Sequence, residues 1–266
     1  MDDSLRRRAQ IARAEIESGA LRGTALLELL RSVPFRDRDA WTDELLGLEA
    51  PPPDIPDLPR GSVPYLPCGV DDIVAMVREV PVRPDDELVD LGSGLGRVVI
   101  LAHLLSGARA CGVEIQEPLV RSARARCDEL GLAAVSFVHG NAAHVALDGS
   151  IFFLYAPFNG EMLASVLRRL EGVARRRPIV VCAVDLELDD VPWLRPRTTS
   201  GVSLHLYDSH VPGVPGRSHE ARDPDHRCPA PRAIRRYAAG SACSPRIVPD
   251  VVGYLWPAAG VIAPAS

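Results

Sequence analysis

The chain has 266 residues, 47% of them apolar, which is enough for one sizeable core with appendages and excludes a minidomain or a disordered chain. A net charge of −5 provides no global basic field, so no nucleic-acid partner is expected. No apolar run reaches the roughly 18 residues of a membrane span, and the opening MDDSLRRR lacks an apolar leader region, so a cytoplasmic chain is expected.

Residues 1–49 read as a helical extension. Leu26, Leu27, Leu30 and Val33 fall at helical spacing, with Thr24 placed to cap them. Residues 50–64, APPPDIPDLPRGSVP, form a proline-rich linker. A main domain over 65–210 follows. Ile73, Met76, Val77 and Val80 mark a helix, Glu87–Leu91 a strand, Val98–Leu105 a buried helix and Arg109–Ile115 a second strand. Leu119, Ala123, Cys127 and Leu130 line one helix face; Val135–Val138 and Ile151–Tyr155 are strands. Asn159 stands where it can cap a helix carrying Leu163, Val166, Leu167 and Leu170. Ile179–Val184 is a fifth strand, and Val202–Tyr207 alternates as a late antiparallel one. This alternation predicts an α/β fold: a doubly wound, mostly parallel Rossmann-like sheet with helices on both faces. Residues 211–266 carry nine prolines and no periodicity, and read as an irregular tail.

All 30 basic residues are arginine, which with the abundant Ala, Pro and Gly looks like coding bias. The six cysteines form no CxxC pair and read as small reduced hydrophobes. In the tail, His219, His226 and Cys228 match no zinc-module spacing, so no metal is expected.

The most informative segment is VDLGSGLGR, residues 89–97. A strand ends in Asp90; Gly92, Gly94 and Gly96 follow at alternate positions around Ser93, and a helix begins. Glycines here allow a tight turn and close approach of backbone to a ligand, and the helix N-terminus aims its amides at it. Dinucleotide enzymes use G-x-G-x-x-G, whose third glycine would fall on Arg97. The G-x-G-x-G pattern preceded by an acid instead resembles motif I of the class I S-adenosylmethionine-dependent methyltransferases. Glu114, with Ile115 after it, ends the next strand 18 residues past Gly96, where an acid can accept from both ribose hydroxyls of a bound nucleoside.

That resemblance covers about residues 64–208 and implies S-adenosyl-L-methionine as cofactor. It places Asn141 and Ala142 where the family usually has an acid against the adenine amine. It also places Tyr155, Pro157 and Phe158, from FFLYAPFNG, in the methyl-acceptor pocket, with Tyr155 and Asn159 as the groups that orient a nucleophile. Ala156-Pro157-Phe158 departs from the Asn-Pro-Pro-Tyr of enzymes acting on planar amides or bases. PYLPCG, residues 64–69, is similar to a segment that precedes motif I in small protein-lysine methyltransferases of the ATP synthase c-subunit type. In those it folds over the cofactor, which puts Tyr65 there; Cys68-Gly69 departs from the pattern. The expected activity is N-methylation of a protein lysine, needing no strong general base. A small-molecule methyltransferase, a non-catalytic cofactor-binding module and a nicotinamide- or nucleotide-sugar-dependent enzyme are the alternatives. Residues 1–49 are expected to cap the acceptor site.

Overall fold

The computed structural model describes residues 1–200 and 203–217. The first 46 residues form three helices, α1 (Asp3–Glu17), α2 (Gly23–Ser32) and α3 (Arg38–Leu46). Asp2 caps α1 by accepting from the Leu5 amide at 2.8 Å. Thr24 does not cap α2. That helix already begins at Gly23, whose φ of +56° turns the chain into it, and the N-cap Arg22 makes no side-chain cap bond. Gly47, left-handed at φ +68°, ends α3.

The main unit runs α4 (Val70–Glu79), β1 (Glu87–Leu91), α5 (Arg97–Ser106), β2 (Arg109–Glu114), α6 (Glu117–Glu129) and β3 (Val135–His139). It continues through β4 (Ile151–Tyr155), α7 (Gly160–Ala174), β5 (Val180–Val184), β6 (Leu194–Arg197) and β7 (Leu204–Ser209). The sheet order is β3-β2-β1-β4-β5-β7-β6. The first five strands are parallel, β7 is antiparallel to β5, and β6 is antiparallel to β7. This is the doubly wound sheet expected from the strand–helix alternation, with the antiparallel strand near 202–207 in place. The edge strand β6 was not legible: Leu-Arg-Pro-Arg has no apolar alternation, and a proline is tolerated there because an edge strand leaves one side of its ladder unpaired.

Two apolar layers sandwich the sheet. Leu88, Ala110 and Ile151 face a layer that includes α4, α5 and α6, while Val89, Leu91 and Phe152 face one built on α7 and the loop through Leu147. The N-terminal helices extend the first layer: α2 and α3 pack on α5, and α3 also meets α4. Ile16, Leu26, Leu30, Trp41, Leu45 and Leu46 are fully buried there, and the Trp41 indole donates to the Leu5 carbonyl at 3.0 Å. At the start of the expected tail, Arg217 donates to Asp86 at 2.5 Å and to the Pro81 carbonyl at 3.1 Å. The rest of the tail, with His219, His226 and Cys228, lies outside the described residues.

Candidate functional site

Strand order reverses between β1 and β4, and in open α/β sheets ligands sit beyond the carboxyl ends of the strands at such a switch point. A cavity of about 280 Å³ opens there. One half is built from the β1, β2 and β3 ends: Gly92, Glu114, Ile115, Gln116, Asn141 and Ala142. The other comes from the β4 and β5 ends: Tyr155, Ala156, Pro157, Phe158 and Asp185, with Met162 of α7. Residues 62–66 roof both halves.

The glycine loop is shaped by what surrounds it. Gly92, Gly94 and Gly96 have φ of +94°, +53° and +84°, a region costly for any residue with a Cβ. A Cβ on Gly94 would lie 2.1 Å from the Tyr65 ring, so that ring closes over the loop. A Cβ on Gly96 would meet Phe137 at 2.5 Å; that glycine lets α5 seat on the sheet. Ser93 and Gly96 therefore face the core beneath the loop. The Ser93 hydroxyl is buried toward Gly112 with no hydrogen-bond partner among the described residues.

Glu114 is 6% exposed and held at both oxygens, accepting from the Gly94 amide at 2.8 Å and the Gln116 amide at 2.8 Å. Burial pushes its carboxyl above the usual range, and those amides pull it back. Asp90, one residue before the β1 end and not among the cavity's lining residues, is buried, and burial and the Glu114 carboxylate push it well above the usual range. Two interacting buried acids on adjacent strands suit a ligand that brings positive charge.

Asn141 lines the cavity, but its side-chain oxygen accepts from the Ala143 amide at 2.8 Å, closing its own loop. Ala142 lies beside it, buried. Tyr155 and Phe158 line the half built on β4 and β5, as does Pro157, whose Cβ would lie 2.7 Å from a Cβ on Gly92. Asn159 is exposed and is not among the lining residues; its backbone amide donates to the Gly61 carbonyl at 2.9 Å, stitching the linker to the start of α7. Burial pushes the Tyr65 hydroxyl up to about 12.

Residues 1–49 do not reach the cavity lining; the linker does. Asp54 accepts from the Tyr65 amide at 3.1 Å and from the Gln116 side-chain amide at 2.7 Å, while the Ile55 amide donates to the Gln116 side-chain oxygen at 2.9 Å. A bridge pairs Ser62 with Phe158, and the Val63 amide donates to the Pro157 carbonyl at 3.2 Å. Sequence reasoning passed over Gln116 and Asp185. The latter carried a readable signal, since VVCAVD ends an apolar strand in an acid just as LVD and CGVE do.

Arg97, where a dinucleotide loop would have glycine, is 6% exposed. It donates to the Cys68 carbonyl at 2.7 Å and to both oxygens of Asp43 at 2.6 Å, binding α5 to the roof segment and to α3.

The family match falls on the half of the site built from β1, β2 and β3. Residues 68–143 match the family model described as histone methylation protein DOT1. Nocamycin O-methyltransferase of Saccharothrix syringae is 33% identical over 96 residues, 35% of this chain, and the match spans about a third of that relative's length (33%). Among solved structures, an RNA methyltransferase from Salinibacter ruber in complex with S-adenosyl-L-homocysteine is 26% identical, with a TM-score of 0.44 over 59% of this chain and 97% of that one. A putative methyltransferase, yhhF, from Escherichia coli is 20% identical, with a TM-score of 0.41 over 53% and 83%.

Proposed function

We propose that this chain, which carries a class I S-adenosylmethionine-dependent methyltransferase domain, is an active methyltransferase and that it methylates an amine, a protein lysine first among the candidates. The observation that carries the reading is the pair Asp90 and Glu114, buried at adjacent strand ends beside the glycine loop. The cofactor supplies an electrophilic methyl on a sulfonium and an ammonium of its own, and both charges answer those acids. Glu114 would take the ribose hydroxyls with the lone pairs its two amide bonds leave free, since each carboxylate oxygen can accept more than one bond. The loop amides and the Tyr65 ring would hold the amino-acid end. Asn141 and Ala142 would border the adenine.

The chain's own contribution is alignment and exclusion of water, the main source of rate when the reaction is a displacement between two bound groups. Tyr155, Pro157 and Phe158 form the wall against which the nucleophile is set, and Asn159 serves by fixing the roof. Glu114 and Asp185 are the charged residues among those lining the cavity, and neither is basic. An acidic, arginine-free lining repels phosphate and attracts ammonium, which favours an amine over a nucleic-acid acceptor. A small-molecule acceptor is the second reading, favoured by the Nocamycin O-methyltransferase match.

The test is calorimetric titration with S-adenosylmethionine, then incubation with methyl-labelled cofactor and cell extract. Label in protein that survives acid hydrolysis as methyl-lysine supports the reading. Label confined to small molecules moves the acceptor class, and absence of cofactor binding refutes the assignment.

A further inference from the structure

β1, β2 and β5 each carry an acid at or within one residue of their carboxyl ends: Asp90, Glu114 and Asp185. The first two belong to the cofactor half. Asp185 lies across the switch point, on the acceptor side, where no part of the cofactor reading employs it.

Its place is built. Tyr155 and Val184 are register partners on β4 and β5, so Ala156 and Asp185 follow side by side at the two strand ends. These are the non-glycine residues with positive φ among those described, at +36° and +52°. An alanine held there is strained, and such strain persists only where surrounding structure enforces it, most often at functional sites. The Asp185 amide donates to the Ser203 carbonyl at 3.0 Å, pinning the turn. The side chain is exposed at the cavity wall, and its charge reaches Tyr155, whose hydroxyl burial pushes up with help from Cys68, Asp185 and Asp72. Above this end, the roof leaves Val63 40% and Leu66 62% exposed, an apolar lip over the cavity.

We infer that Asp185 receives the acceptor: its carboxylate pairs with the ammonium of an alkylamine whose chain lies on Val63, Leu66 and Phe158. This rests on the methyl-transfer reading above. The held ammonium gives one N–H proton to water and so regains its lone pair, a loss that the sulfonium's charge close by favours. The N–CH3 bond then forms as the S–CH3 bond breaks, the sulfur keeping the bonding electrons. The secondary ammonium leaves with the positive charge the sulfonium has lost.

The experiment uses the full chain saturated with S-adenosylhomocysteine, titrated calorimetrically with n-hexylamine, n-hexanol and n-hexanoate. Hexylamine should bind and the other two should bind about tenfold more weakly or worse. Asp185→Asn should lose about tenfold in hexylamine affinity, Asp185→Glu should stay within about threefold, and both should keep wild-type affinity for S-adenosylhomocysteine. Equal hexylamine affinity in Asp185→Asn, hexanol as tight as hexylamine, or no hexylamine binding at all would each overturn the inference. If Asp185→Asn loses S-adenosylhomocysteine, the wild-type ranking of amine against alcohol decides. Failure of S-adenosylhomocysteine to bind the wild-type chain is read first and overturns the cofactor assignment itself, and with it this proposal.

Discussion

Arg97 and Asp43 meet through two bonds of 2.6 Å, joining the first residue of the helix after the glycine loop to a helix some fifty residues earlier. Arg97 is sealed from solvent while Asp43 is about a third exposed. Burial pushes the Asp43 carboxyl up and Arg97 pulls it back. Removing the acid leaves a buried guanidinium with the Cys68 carbonyl and, at 3.8 Å, the Asp39 carboxylate as its remaining partners. Asp43→Ala should therefore cost about 3 kcal/mol of stability, toward the low end for breaking a buried pair because of the partial exposure. Chemical denaturation that shows a loss below about 1 kcal/mol would mean the pair is solvated in solution.

Deleting residues 1–49 tests what the N-terminal helices do. They were expected to shape the acceptor site, but the core they complete includes Ile16, Leu26, Leu30, Trp41, Leu45 and Leu46. Losing even three such side chains forfeits about 5–9 kcal/mol of burial, comparable to a whole domain's stability. A chain shortened to begin at Ala50 should be unfolded or molten at 25 °C by near-ultraviolet circular dichroism. Retained cooperative melting with cofactor binding intact is the contrary result.

Much of this was readable in advance, and what was not has physical reasons. The strand–helix alternation predicts the parallel sheet because buried strands are continuously apolar and helices repeat every three to four residues. The loop and Glu114 are legible because glycine and acid stand at fixed offsets from a strand end. Gln116, Asp54, Ser62 and Val63 were not, because their importance lies in contacts across about 60 to 95 residues of chain that no local pattern encodes. Asn141 shows the reverse case: its position was found, but its side chain satisfies its own loop.

Gly94→Val should abolish cofactor binding. The substitution adds left-handed strain, about 1–3 kcal/mol, and drives its first carbon into the Tyr65 ring. Adding Tyr65→Ala should recover part of the lost melting temperature without restoring affinity, since the strain and the occupied ligand space remain. Normal cofactor binding by Gly94→Val in calorimetry would remove the loop from the site.

Glu114→Ala should weaken cofactor binding by about 1.5–3 kcal/mol. It should also destabilise the free protein, because the Gly94 and Gln116 amides lose their acceptor. Glu114→Gln keeps one acceptor oxygen and should fall between. Unchanged affinity in a folded alanine variant would take the ribose away from this residue.

Asp90 and Glu114 are both pushed up in the free protein, so its native state holds their protons more firmly than the unfolded chain does. Their stabilising contribution is full below about pH 4 and is lost as pH rises through the raised values. S-adenosylmethionine carries a sulfonium and an ammonium against one carboxylate, and its net positive charge favours the ionised acids, so cofactor affinity should rise with pH across that window and binding should release protons. Titrations in buffers of different ionisation enthalpy measure the release directly. Proton uptake, or affinity falling from about pH 5 to pH 8, would contradict the charge assignment.

Asp54 touches both the backbone of Tyr65 and the side chain of Gln116, two residues past Glu114. The roof of the cavity is thus tethered to the turn that carries Glu114, and the two cannot rearrange separately. Whatever orders that turn also sets the entrance. The kinetic signature is a compulsory order: cofactor enters first and its demethylated product leaves last. A non-methylatable acceptor analogue should then inhibit uncompetitively against S-adenosylmethionine. Asp54→Ala, by cutting the tether, should turn that pattern into random entry.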